Sequence, residues 1–115
     1  FKFPNIIHKY AILEPSVKLG YGNIILAGSI LGSEVSIGNV NYINTGSIIC
    51  HESKLGNNNH FAPNSVIAGR VKVGNNVLIG MCATTFFDLN IGSNVVINNG
   101  VNIVNDVEDN KVIKK

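Results

Sequence analysis

Large apolar residues recur at every sixth position from Ile7, through Leu13, Leu19, Ile25, Leu31 and Ile37, in unbroken phase to Ile103. Of the seventeen positions in this series only Thr85 is not large and apolar. The residue after each is usually small or turn-prone, as at Gly20, Gly32, Asn44, Gly56, Ala62 and Gly80. The residue two before each is mostly Ser, Ala or Val, as at Val17, Ser29, Ser47, Ser53, Val71 and Ala83. Because strand neighbours alternate between faces, each hexad predicts a short strand with two inward side chains, followed by a corner with little room for bulk.

A second period lies in the exceptions. Asn5, Asn23, Asn41 and Asn59 interrupt the Ser/Ala/Val rule at intervals of eighteen, which is three hexads. This predicts a triangular coil of three strands per turn, with the four asparagines stacked into a ladder along one edge. A 3.6-residue period is absent, and the β-branched content opposes helices. The fold class expected is therefore all-β: a parallel β-helix in the form of a triangular prism. Its hand does not follow from the period, and the general rule for parallel crossovers favours the right-handed form. One domain is expected over 1–115, with regular coils over about 5–104 and a polar tail over 105–115 that covers sheet edges at one end. At about 4.8 Å per coil the prism is on the order of 25 Å tall.

Composition adds three points. Eighteen asparagines and twelve glycines in 115 residues fit a chain that turns at short intervals, since both tolerate left-handed backbone. Charged residues make up 14% and the net charge is +2, without a basic cluster before Lys111, Lys114 and Lys115, which predicts neither a nucleic-acid nor a membrane partner. No apolar run approaches the roughly 18 residues of a membrane span, and Phe1 to Pro4 lack the regions of a signal peptide, so a cytoplasmic protein is expected. Cys50 and Cys82 have no disulfide-framework or metal spacing and are read as reduced, small apolar residues.

Most outward positions are read as Asn, Ser or Lys on a solvated surface. The stretch from Asn44 to Gly69 differs, because it holds two of the three histidines. His51 falls two residues after the inward Ile49, at a corner and pointing outward, with Glu52 beside it. A carboxylate bonded to one ring nitrogen fixes the tautomer and leaves the other nitrogen to accept a proton. His60 precedes the inward Phe61 and points outward from a strand nine residues, or half a coil, further on. Within one prism the two histidines then face different sides. They meet only if prisms pack side by side, so the spacing predicts a closed trimer with sites between subunits. No histidine pair has metal-ligand spacing, and no metal is expected.

The hexads together with INTGSIICHESKLGNNNHFAPNSVIAGRVKVGNNVLIG resemble the bacterial family of hexapeptide-repeat sugar acyltransferases, which contains sialic acid O-acetyltransferases and UDP-N-acetylbacillosamine-type N-acetyltransferases. The likeness runs from Asn5 to about Asn110. It implies a left-handed β-helix, a homotrimer, and acetyl-CoA as co-substrate. The acceptor implied is an amine or hydroxyl of a sugar, often nucleotide-activated, in bacterial surface glycan or glycoprotein sugar biosynthesis. Carried onto this chain, the resemblance makes His51 the general base and Glu52 its partner. It puts His60 near the thioester, Asn44 near the acceptor sugar, the Gly69 amide at the thioester carbonyl, and Met81 and Asn99 along the CoA chain. Members usually carry a further domain before the β-helix that holds the nucleotide sugar, so this chain is expected to be a piece of a longer protein. The segment from Thr84 to Asp88 departs from the inward pattern. It is read as a distorted corner, or as a place where a ring stacks on the CoA adenine. A non-catalytic trimeric scaffold is the alternative reading, and the His51–Glu52 pair is what separates the two.

Overall fold

The computed structural model describes residues 3–115; Phe1 and Lys2, where the expected domain begins, lie outside the described residues. The expected hexads are realised as two-residue strands, each ending on the inward apolar residue: Ile24–Ile25, Ile48–Ile49, His60–Phe61, Val66–Ile67 and so on. They form three parallel sheets of seven, six and five strands. The first sheet runs from Ile6–Ile7 through Tyr42–Ile43 and His60–Phe61 to Val112–Ile113. The second runs from Ile12–Leu13 to Asn102–Ile103, and the third from Lys18–Leu19 to Asn90–Ile91. Register partners are eighteen residues apart, as His60 with Tyr42 and Leu78. The result is a left-handed parallel β-helix, as the resemblance implied, with extents of 35 × 27 × 21 Å.

The core is a stack of apolar triangles. Ile25, Leu31, Ile43, Ile49, Phe61, Ile67, Ile79 and Val95 are fully buried, each worth about 1.5–3 kcal/mol of apolar transfer. The asparagine ladder forms as expected. Asn41 Nδ2 donates to Asn23 Oδ1 at 3.1 Å and to Gly56 O at 2.9 Å, while Asn41 Oδ1 accepts the Asn59 N–H at 3.0 Å. Asn23, Asn41 and Asn59 are all buried and satisfied, so the ladder costs no orphaned polar group.

One residue of nearly every corner has left-handed backbone, with φ between 52° and 75°. This requirement accounts for the asparagine and glycine content. Two of the three corners meet it mainly with those residues, as at Gly22, Asn58, Asn76, Asn94 and Asn110, and at Gly28, Gly46, Asn64 and Gly100. The corner between the second and third sheets uses Glu34, Glu52, Arg70 and Asp88 instead.

Three features depart from the sequence reading. Residues 105–115 are not only a polar tail. Val107 is buried and bridges Ile91, and Val112–Ile113 pairs with Val96–Ile97. The last coil is two residues short, so its partners lie sixteen apart and the hexad count no longer finds them. At Thr85 the side chain replaces the carbonyl as acceptor: the Ala68 N–H donates to Thr85 Oγ1 at 3.0 Å, which offsets the loss of an apolar residue. Finally, the outward surface is not uniformly polar. The outward residues of the first sheet include Ile6, Ile24, Tyr42, Leu78, Val96 and Val112, and those of the second include Ile12, Ile30, Ile48 and Val66. Only the third sheet, with Lys18, Ser36, Lys54, Lys72 and Asn90, is polar throughout. A period of eighteen applied to the outward positions separates these three faces.

Candidate active site

His51 stands on the corner after Ile48–Ile49, exposed, with its main-chain carbonyl accepting the Arg70 N–H from the next coil at 2.9 Å. Its Nδ1 lies 3.1 Å from Glu52 Oε1. With the proton on Nδ1 the ring donates to that carboxylate, and Nε2 is left as the acceptor. The other side of the imidazole rests on Gly69, eighteen residues on. A methyl group at Gly69 would stand 2.5 Å from Nε2 and 2.6 Å from Cε1, so glycine is required there by the ring and not by the backbone dihedral. The Gly69 N–H has no acceptor among the described residues. A free donor therefore lies in the same corner as a free imidazole nitrogen.

His60 and Asn44 form a second group, on the first sheet and on the corner that follows it. Asn44 Oδ1 accepts the Thr45 N–H at 2.7 Å, which turns Nδ2 toward His60 Nε2 at 3.3 Å. His60 Nε2 then accepts, leaving its Nδ1–H as a donor. The ring also packs on Tyr42 at 4.8 Å between centroids. Met81 and Asn99 share this corner, two and three coils on from Thr45, and the Met81 N–H donates to Asn99 Oδ1 at 2.8 Å. Asn99 lines an open cleft with Ala62, Leu78, Gly80, Val96 and Lys115.

The structure thus sorts the expected residues into two sets on different sides of the prism: His51, Glu52 and Gly69, and His60, Asn44, Met81 and Asn99. It adds Arg70, and contacts of the Thr84–Asp88 segment that the sequence reading missed. Arg70 and Asp88 continue the column of Glu52 at intervals of eighteen. Arg70 Nε and Nη2 donate to the Asp88 carboxylate at 2.6 and 3.1 Å. Hydrogen bonding to Asp88 raises the Arg70 pKa, and the same bond lowers that of Asp88. Phe86 and Phe87 are exposed and stacked at 4.5 Å, with the Arg70 guanidinium 6.0 Å from the Phe87 ring. Burial raises the Cys50 thiol, which argues against a thiolate beside His51. Among the described residues no three His, Cys, Asp or Glu side chains converge as metal ligands.

A hexapeptide-repeat β-helix whose exposed corner carries a His–Glu pair beside a free glycine amide defines the class of protein. The family model of the bacterial transferase hexapeptide matches residues 52–85. The chain superposes on a histidine-to-alanine variant of GDP-perosamine N-acetyltransferase from Caulobacter crescentus, in complex with CoA and GDP-perosamine. The TM-score is 0.96 at 33% identity, covering 97% of this chain and 53% of that one. The acetyltransferase domain of PglB from Neisseria gonorrhoeae matches with a TM-score of 0.96 at 27% identity, covering 97% of this chain and 55% of that one. The same domain in complex with acetyl coenzyme A gives 0.95. WeeI from Acinetobacter baumannii, 21% identical over 92% of this chain and 53% of that one, shares the fold with a TM-score of 0.88. Comparison with curated proteins gives no match. The resemblance to hexapeptide-repeat sugar acyltransferases holds in repeat and in three-dimensional form, and the chain spans about half the length of these relatives.

Proposed function

We propose that this chain is the catalytic β-helix of an acetyl-CoA-dependent acetyltransferase acting on an amino group of a nucleotide-activated sugar. The observation that carries the reading is the corner at His51, with one ring nitrogen bonded to Glu52 and the other free above Gly69, in a prism that superposes on CoA-bound relatives. The acceptor amine attacks the thioester carbonyl carbon as His51 Nε2 takes its proton. Glu52 stabilises the imidazolium that forms. The Gly69 N–H donates to the oxyanion, a role worth about 3 kcal/mol when the donor is preorganised. The C–S bond then breaks and the CoA thiolate leaves with the proton from His51.

In this reading His60 lies near the thioester, Asn44 near the acceptor, and Met81 and Asn99 along the CoA chain, contributed by a neighbouring subunit. Support for a trimer comes from the two apolar outward faces. Setting the first face of one prism against the second face of the next covers both and leaves the lysine-bearing third face in water. It also draws the His51 corner toward the neighbour's His60 face. Relatives about twice as long support a further domain that holds the nucleotide sugar, and the protein acts in the cytoplasm, on sugars for surface glycans or glycoproteins.

The test is release of free CoA from acetyl-CoA over a panel of nucleotide-activated amino sugars, with the wild-type chain and His51→Ala. Transfer to an amino sugar that His51→Ala abolishes is expected. No release with any acceptor, or full activity in His51→Ala, overturns the reading.

A further inference from the structure

The corner that carries His51 is unusual in what occupies its left-handed positions. Glu34, Glu52, Arg70 and Asp88 have φ of 61°, 62°, 56° and 59°, where the other two corners mostly use Asn or Gly. Side chains other than Asn, Asp or Gly are disfavoured in this conformation. Three of these four charges, Glu52, Arg70 and Asp88, are stacked in successive coils directly beside the base. With Glu34, Lys54 and Lys72 they line one cleft.

Glu52 faces two competing partners. His51 Nδ1 holds it at 3.1 Å, and Arg70 sits in the adjacent coil. A free guanidinium one coil away is the stronger partner for a carboxylate, because it binds in a two-point fork. It is not free: Nε and Nη2 are both committed to Asp88. The charges still act on one another. After its bond to Asp88, Arg70 is further favoured in its charged form by Glu52, and Asp88, after Arg70, by the charge of His51.

We propose that Arg70 and Asp88 are positioning residues for the His51–Glu52 pair. Asp88 keeps the guanidinium in a two-point ion pair, so that its charge stays in the coil next to Glu52 without drawing the Glu52 carboxylate off His51. This rests on the acetyl-transfer reading only for its consequence in rate; the arrangement of charges stands on its own.

The experiment follows the His51 imidazole titration by NMR in chain labelled with 13C-histidine, assigned by loss of its signal in His51→Ala. Wild type, Arg70→Gln, Asp88→Asn and the double variant are compared. Asparagine suits the left-handed backbone at position 88, so the corner is retained. In Asp88→Asn the freed guanidinium takes Glu52, and the His51 titration moves to lower pH. In Arg70→Gln a cation is lost and the pKa rises. In the double variant the fall is reversed, and CoA release, reduced several-fold in Asp88→Asn, recovers. A His51 titration identical in wild type and Asp88→Asn overturns the proposal, as does a shift that Arg70→Gln fails to reverse. The titration requires no acceptor, so a wild-type chain without CoA release counts against acetyl transfer while the titration still decides the positioning.

Discussion

His51 is oriented by two neighbours with different duties: Glu52 bonds its Nδ1, and the bare Cα of Gly69 leaves room for its ring. Gly69→Ala therefore pushes the imidazole aside while leaving the backbone free to keep its dihedrals. If His51 is the proposed base, this substitution is expected to lower acetyl transfer roughly a hundredfold, with little change in thermal midpoint. Steady-state CoA release and a melting curve on the same sample separate the two effects. The Arg70–Asp88 pair predicts a pH dependence of stability. Asp88 is lowered from its ordinary value of 3.8, so its contribution is present above that value and is lost as the pH falls through the lowered one. Both side chains are half exposed, so the contribution is small. The stability difference between wild type and Asp88→Asn, read by urea unfolding, shrinks below about pH 4. At this scale the sequence showed His51 and Glu52 as neighbours. It did not show Gly69 or Arg70 as contacts, because neighbours through space here lie eighteen positions away.

A rung of this solenoid is held by its inward pair and by what that pair does for the coils on either side. Asn41 is the clearest case, since its amide serves the Asn23, Gly56 and Asn59 groups at once. Asn41→Ala orphans the buried Asn59 N–H and removes the donor to the part-buried Gly56 carbonyl. It is expected to destabilise the fold by about 3 kcal/mol in chemical unfolding. Asn58→Gly, on the exposed ladder with Asn76, keeps the left-handed backbone, loses a bond that water replaces and is expected to cost far less. The buried ladder was legible as a lapse in the Ser/Ala/Val rule. The substitute bond at Thr85 and the sixteen-residue final coil were not. One depends on a side-chain oxygen reaching a main-chain N–H, the other on where a corner tightens.

Each prism carries two apolar faces and one polar face, and that asymmetry is what the proposed trimer rests on. Ile48→Asp puts a charge in the middle of the second face and is expected to turn the proposed trimer into monomers. Lys72→Asp on the third face is expected to leave its mass unchanged. Light scattering coupled to size exclusion checks both, and a wild-type chain that runs as a monomer removes the basis for the intersubunit site. If the site lies between subunits, Ile48→Asp also abolishes CoA release without touching His51.

By itself the sequence determined the strand period, the three-sided coil, the inward residues and the asparagine ladder, because each is a local rule repeated without interruption over the chain. It also showed His51 outward at a corner with Glu52 beside it. Only the tertiary structure decided which residues rest on that histidine and which side chains bond to one another around it. It decided too that a charged column, Glu52, Arg70 and Asp88, stands where the other corners use Asn and Gly. The physical reason is the coil itself: it turns a separation of eighteen residues into contact across one strand spacing, about 4.8 Å. Which atoms then meet is set by side-chain rotamers and corner geometry rather than by the repeat.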